Sequence, residues 1–322
     1  MSIHRAPAPA KVNLGLFLGP IRLKDGRHEL VTVMQSISLA DELTLEPARA
    51  GARGDELVCP GVPGTPGENL AALALRAFRA STGWDAPWLR LSILKRIPVA
   101  AGLGGGSADA AAALRLARFA SGLGDEATLL GLGAELGADV PAQISPGCWL
   151  ATGAGERLRE LSGPRPSFGL LVLPLPARLS TAAVYAQADR LGLARAPAAL
   201  EERRRELHAA SHLDVAALAA RGLLQNDLQP AAISLCPEIE EALEQAREAG
   251  ADEVLVSGSG PTVVGLFADG QSADGLGRAE RAAATLRGRT PEALCATPVG
   301  EAFARARTIE IAVRHNPDRR PQ

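Results

Sequence analysis

Residues 97–113 read IPVAAGLGGGSADAAAA, and the fold turns on them. Upstream, residues 88–95 (WLRLSILK) alternate apolar and polar side chains, the period of a half-buried strand. Downstream, from about Ser107 to Phe119, alanine dominates and predicts a helix. Between them stand Gly102, Gly104, Gly105 and Gly106, four glycines in five residues. Strand, glycine loop and helix in that order can hold an anion. The first N–H groups of a helix lack intrahelical acceptors and the helix dipole is positive there. Glycine also lets a backbone approach a ligand closely and adopt positive φ. Ser107 adds a hydroxyl able to reach a phosphate or a metal ion. A tight connection with no ligand would use glycine too, but each one costs folding entropy and four exceed what a turn needs. Two other phosphate-binding patterns are excluded. A P-loop needs Lys followed by Ser or Thr, and none of Lys11, Lys24 and Lys95, the three lysines of the chain, is so followed. A dinucleotide fingerprint is not completed by Gly102, Gly104 and Ser107, and the unit is not near the chain start.

Outward from the loop, residues 11–18 (KVNLGLFL), 30–39 and 41–46 read as strands, with Asp25-Gly26 marking a turn. Residues 47–67 read as a loop around a short strand. Asn69 is placed to cap a helix running to about Ala80, and another helix fits 126–136. A composition break falls at 151–168 (ATGAGERLRELSGPRPSF). Beyond it, strands fit 170–173, 253–257, 262–267 and 306–313. Helices fit 181–191, 194–210, 212–220, 238–249 and 275–287. The tail after His315 reads as frayed. The order predicts an α+β protein of two domains, residues 1–155 and 156–322.

Bulk properties narrow the function. The 322 residues are 47% hydrophobic and 22% charged, which are globular proportions. A net charge of -2 gives no electrostatic reason to expect a nucleic-acid or membrane partner. Cys59, Cys148, Cys236 and Cys295 are scattered, so no zinc-type pair or disulfide framework is expected. His208 and His212 have i, i+4 spacing but no third metal ligand nearby in sequence, and any metal ligands stay unassigned. The opening MSIHRAPAPAK has no apolar signal core, and no run of about 18 apolar residues suggests a membrane span. A soluble cytoplasmic protein is expected, its oligomeric state open.

Three segments in order resemble one family. Residues 98–111 (PVAAGLGGGSADAA) resemble the second motif of the GHMP kinases, P-x-x-x-G-L-G-S/G-S/G-S. Residues 7–16 (PAPAKVNLGL) resemble the first motif, and residues 256–263 (VSGSGPTV) the third, S-G-S-G-P-T. Further segments resemble the branch that phosphorylates the 2-hydroxyl of a diphosphocytidyl-linked methylerythritol: Asp25-Gly26-Arg27-His28-Glu29-Leu30, Leu136 to Pro141, Ser180-Thr181 with Tyr185, and Asn226-Asp227-Leu228. The resemblance covers residues 6–315. It implies the GHMP kinase two-domain fold, with an N-terminal domain like domain 2 of ribosomal protein S5 and a ferredoxin-like C-terminal domain.

The resemblance also implies residue roles. ATP, with Mg2+, would bind over Pro98, Val99, Ala100, Ala101, Gly102, Leu103, Gly104, Gly105, Gly106, Ser107 and Ala108. Asp139 would be general base toward the accepting hydroxyl, with Lys11 beside it steadying the developing charge. By itself, an Asp before Val-Pro can equally cap a turn. Asn13 shares a strand face with Lys11 and would hydrogen-bond the substrate or orient Lys11. His28 would read the cytosine edge, Tyr185 would stack on the ring, and Thr181 would hold diphosphate or ribose. A turn histidine and a core tyrosine are the plainer readings of those two. Gly258, Ser259 and Gly260 would line the cleft, or simply turn a hairpin. Two departures stand out. Arg27 replaces the family's stacking tyrosine, and a guanidinium plane can also stack on a base. Ala108 replaces a serine, while Ser107 is kept. The alternatives are another GHMP kinase acting on homoserine, mevalonate or a sugar, and a non-catalytic nucleotide-binding regulator; a dinucleotide oxidoreductase is disfavoured.

Overall fold

The computed structural model describes residues 2–162, 167–177, 179–210, 212, 214–269, 274–289 and 292–309. Strands β1 (Ile3–Ile21) and β2 (His28–Pro47) form a long antiparallel hairpin. The expected strands 11–18, 30–39 and 41–46 are parts of these two. The register shifts between Pro9 and Lys11 and between Asn13 and Gly15, so bulges bracket Lys11 and Asn13. Next come β3 (Glu56–Val58), α1 (Leu70–Thr82), β4 (Leu89–Leu94), α2 (Gly105–Ser121), α3 (Glu126–Leu136) and α4 (Val140–Ile144). Asn69 caps α1 by accepting from the Ala71 N–H, as its residue type predicts. Helix α2 starts two residues before Ser107, on glycines that favour no helix but leave their N–H groups uncovered.

The composition break at 151–168 is a correction: β5 (Cys148–Gly153) and β6 (Arg157–Leu161) form a hairpin there, and residues 163–166 lie outside the described ones. One edge of β2 pairs with β5 over residues 30–35 and with β4 over residues 42–47. The 155/156 division falls between β5 and β6, which pair in one sheet. Buried Ala108, Ala110 to Ala113 and Ala117 let α2 pack closely on this sheet and on α1 and α4.

The second half runs β7 (Phe168–Leu173), α5 (Thr181–Arg190), α6 (Pro197–Ala210), α7 (Val215–Ala220), α8 (Gln229–Leu235), α9 (Glu238–Glu248), β8 (Glu253–Val256), β9 (Val263–Ala268), α10 (Gly275–Thr285) and β10 (Leu294–Ala296). Its antiparallel sheet has the order β10-β7-β9-β8. Strand, helices, two strands, helix, strand in that spatial order is the ferredoxin-like arrangement the motifs implied. Both faces of β7 are buried. Leu170 and Val172 join the core shared with the first sheet, while Leu171 and Leu173 pack beneath α9 and α10. That is why residues 170–173 are apolar without alternation. A last strand, β11 (Arg307–Ile309), returns to β1; residues 310–313 of the expected strand 306–313 and the tail lie outside the described residues. No helix among the described residues is long and apolar enough to cross a membrane.

Candidate active site

The glycine loop, the bulged part of β1 and the β8–β9 turn meet at one point. Gly102 and Gly104 have φ of +76° and +69°. A Cβ on Gly102 would stand 2.6 Å from the Gly260 carbonyl oxygen, and one on Gly104 would stand 3.0 Å from Cγ of Lys11. The two glycine-rich segments therefore close on each other and on the lysine stem through space that only glycine leaves. Side chains and backbone then tie them. Thr262 Oγ1, wholly buried, donates to the Ala101 carbonyl at 2.6 Å, and the Lys11 N–H donates to the Leu103 carbonyl at 3.0 Å. Asn226 braces the turn from behind, donating from Nδ2 to the Val256 and Gly258 carbonyls at 2.8 and 2.7 Å.

Lys11 is buried but for 8% of its surface. Its Nζ donates to Asn13 Oδ1 at 2.8 Å and lies 3.7 Å from Asp139 Oδ2. The Asn13 amide is fixed in turn. Thr32 Oγ1 spends its hydrogen on the Gly15 carbonyl at 2.7 Å, so it can only accept from Asn13 Nδ2, also at 2.7 Å. The Asn13 oxygen is thereby left for the lysine. Asp139 stands at the N-cap position of α4 but its side chain makes no cap hydrogen bond. The plain capping role is unused and the carboxylate is free to face the cleft. Half-buried Arg115 holds α4 in place, donating to the Gln143 carbonyl and, at 2.8 Å, to the Pro7 carbonyl of β1.

Lys11, Asn13, Arg27, His28, Asp139, Thr181, Tyr185, Gly258 and Ser259 all line one cleft of about 780 Å3. Thr181 and Ser259 hydroxyls meet at 3.1 Å across it. In the same cleft, His28 Nδ1 lies 2.8 Å from the Gly19 carbonyl and the His28 and Tyr185 rings are 5.5 Å apart. Burial, reinforced by the Asp139 charge and opposed by Arg27, pushes the Tyr185 phenol up to about 12, so it stays neutral. Arg27 donates to the Ala154 carbonyl at 2.9 Å. Its hairpin is pinned by Glu156: desolvation works against ionisation there, but Arg22 and backbone N–H groups hold the carboxyl down at about 2.

Pro98 to Ser107 border a second pocket, of about 300 Å3, that shares Gly102, Gly104 and Ser107 with the cleft. Two expected residues stand elsewhere. Ala108 is buried and its N–H is spent on the Gly104 carbonyl, so it offers nothing to a ligand. Gly260 stands behind the turn, its oxygen against Gly102. Sequence reasoning gave no role to Lys95, which is held between Asp41 and Asp109 (2.8 Å) at the edge of this pocket. Burial, with the Asp41 charge adding and Lys95 opposing, pushes the Asp109 carboxyl up to about 7. Thr32 and Asp189 also carried no local signal, and Ser257 and Thr262 stood inside the third motif without a role of their own. Among the described residues no group of three His, Cys, Asp or Glu side chains could hold a metal.

The match to family models agrees with this geometry. Residues 69–147 match the model described as GHMP kinases N terminal domain, and residues 200–285 match GHMP kinases C terminal. The 4-diphosphocytidyl-2-C-methyl-D-erythritol kinase of Streptomyces avermitilis is 43% identical over 290 residues, covering 87% of this chain and 93% of that one. The chain belongs to the GHMP kinase family. A protein with the same kinase name from Anaeromyxobacter sp. (strain K) is 40% identical over 319 residues, covering 98% of this GHMP kinase and 94% of the relative. A solved 4-(cytidine 5'-diphospho)-2C-methyl-D-erythritol kinase superposes with a TM-score of 0.72 at 33% identity, covering 91% of this chain and 98% of that one. A homoserine kinase from Cytophaga hutchinsonii superposes at 0.68 with 16% identity, over 96% of this chain and 97% of its own, and shares the fold.

Proposed function

We propose that this GHMP kinase transfers the γ-phosphoryl group of ATP to the 2-hydroxyl of 4-diphosphocytidyl-2-C-methyl-D-erythritol, giving the 2-phosphate and ADP. The step belongs to the non-mevalonate route to isoprenoids. One observation carries the reading beyond the likeness to relatives: a single cleft joins Lys11 and Asp139 to His28 and Tyr185, with the glycine loop at its side. The Lys11–Asp139 pair suits an accepting alcohol, and the two rings suit a flat base.

Phosphoryl transfer is mostly positioning and charge stabilisation. ATP lies with its phosphates over residues 98–107, against the uncovered N–H groups that open α2. The accepting hydroxyl sits between Lys11 and Asp139. Their 3.7 Å separation is too long for a direct hydrogen bond and leaves an alcohol oxygen able to touch both. Asp139 takes the hydroxyl proton as the P–O bond forms. Lys11, held by Asn13, donates to the oxygen on which charge develops. Mg2+ neutralises phosphate charge when bound with ATP. The Ser107 hydroxyl, shared by the cleft and the glycine-loop pocket, would be a protein oxygen able to meet it.

Tyr185 stacks on the cytosine, Arg27 covers its second face in place of the family's tyrosine, and His28 meets the ring edge. Thr181, Gly258 and Ser259 hold the diphosphate and ribose. A cytoplasmic location goes with this reading, and the four free cysteines suit a reducing compartment. The test is ADP release from ATP and Mg2+ with three acceptors side by side: the diphosphocytidyl substrate, homoserine and mevalonate. Turnover with the first alone is expected. Turnover with another acceptor overturns the substrate, and turnover with none favours a non-catalytic binder.

A further inference from the structure

Gln143 is a polar side chain in an apolar place. It is 1% exposed, and neither its Oε1 nor its Nε2 has a hydrogen-bond partner among the described residues. The rest of its helix α4 is Val140, Pro141, Ala142 and Ile144, all buried and all apolar. A buried carboxamide left unpaired destabilises a fold, and an apolar side chain of the same length would fill the space without that cost. Packing alone therefore does not ask for glutamine here. Breaches of this kind collect at functional sites.

The neighbours of Gln143 point to the function. Asp139, at the N-cap of α4, already has helical backbone angles, so Gln143 stands one turn further on the same face. A Cβ on Gly104 would lie 3.5 Å from Gln143 Nε2, and 3.0 and 3.3 Å from Cγ and Cε of Lys11. The carboxamide and the lysine stem thus both pack against the glycine that caps α2 and lines the cleft and the glycine-loop pocket alike. Gln143 itself lines neither, so it acts on a ligand only through its neighbours. The Gly104 carbonyl is taken by the Ala108 N–H, but the Gly104 N–H has no acceptor among the described residues. The Asp139 side chain caps nothing, so its place against Lys11 is set by where α4 sits.

We infer that Gln143 is a positioning residue: once nucleotide phosphates occupy the glycine loop, its carboxamide hydrogen-bonds the loop backbone at Gly104 and thereby sets Asp139 against Lys11. This role rests on the placement of ATP phosphates over the loop, proposed above, and not on the identity of the accepting alcohol. Either end of the amide can serve, since a half-turn of the group exchanges Oε1 and Nε2. The amide has no protein partner to give up, so the whole of the new bond favours the nucleotide-bound protein. Binding then ties the loop to α4, and the general base is fixed when a phosphoryl donor is in place.

The test compares wild type, Gln143→Met and Gln143→Leu by thermal unfolding, calorimetry of ADP binding with Mg2+, and steady-state kinetics. Methionine matches glutamine in length and flexibility, and leucine serves if the methionine variant does not fold. Without nucleotide the variants should melt about 2–6 °C above the wild type, because the unpaired amide is gone. They should bind ADP roughly 3–10-fold more weakly. At saturating ATP, kcat should fall about 10-fold, with KM for the acceptor unchanged. A glutamine that only supports the fold would move melting temperature and activity down together. Variants that melt below the wild type, or that keep its ADP affinity or its kcat, overturn the role of Gln143. A wild type that does not bind ADP overturns the placement of ATP over the glycine loop as well. The melting and ADP measurements decide the matter whichever alcohol is the acceptor.

Discussion

Gly102→Ala tests whether the closure of the two glycine-rich segments makes the site. The new methyl would stand 2.6 Å from the Gly260 carbonyl oxygen and 3.2 Å from that of Ser257. An ordinary contact starts at 3.4 Å, so the segments must part by about 0.8 Å (3.4 − 2.6). Alanine at φ +76° adds roughly 1 kcal/mol of backbone strain, and overpacking of this kind typically costs about 1–3 kcal/mol. A total of about 2–4 kcal/mol lowers the melting temperature by roughly 4–8 °C in a chain of this size. The displacement also moves the phosphate-binding loop relative to Lys11. A shift approaching 1 Å in a positioned group can lower the rate on the order of 100-fold. Thermal unfolding followed by circular dichroism and steady-state ADP release measure both effects. Gly106→Ala is the control for stability. A Cβ there meets only Leu70 Cδ1 at 3.6 Å, within helix α2, so the melting temperature should hold or rise. A Gly102→Ala protein with wild-type melting temperature and wild-type kcat/KM for ATP refutes the reasoning.

Two further outcomes follow from other parts of the molecule. Asn226→Ala removes the two hydrogen bonds that hold the Val256 and Gly258 carbonyls and a third from the Leu228 N–H; denaturant unfolding should show a loss of about 1–3 kcal/mol, and unchanged stability would contradict the bracing role. Asp109 carries a carboxyl raised to about 7 when folded, against 3.8 as its ordinary value. The folded state therefore binds more protons between those values, and this group's contribution to stability is full below about 4 and is lost as pH rises through about 7. Stability measured across that window should fall less in Asp109→Asn than in the wild type, and parallel curves would show that burial does not hold the proton.

Much of the fold was legible because its signals are local. Alternation marked β4, Asn69 marked the start of α1, and glycines at 102–106 marked the head of α2. Signals failed where long-range pairing overrode them. Pro7 and Pro9 argue against a strand, yet β1 runs through both, because β11 pairs only with residues 3–5 and the prolines have a partner strand on one side alone. The β5–β6 hairpin lies inside the stretch that reads as a composition break, because its pairing is not marked by alternation. Helices α4 and α8, of five and seven residues, are too short to show a period.

The site divides the same way. Lys11, Asp139, His28 and Tyr185 were found through motifs, and folding brings them to one cleft. Their supports were less readable. Thr32 orients Asn13 from the neighbouring strand, a contact that residue type does not announce, and Thr262 stood in the third motif but its hold on the glycine loop is a contact between sheets. Asp189 looked like any exposed helix acid until its distance from His28 was known. Ala108 erred the other way: its place beside the glycines suggested a ligand contact, but helical geometry turns it into the core.

The most direct test of the account compares ADP release with the diphosphocytidyl substrate for wild type and Asp139→Ala at saturating ATP and Mg2+. The side chain caps nothing, so the variant should fold normally. Removing a general base should lower kcat by roughly 100-fold to 10,000-fold, with KM for ATP little changed. A variant that keeps wild-type kcat would contradict the assignment of proton transfer to Asp139 and, with it, the chemistry proposed for this cleft.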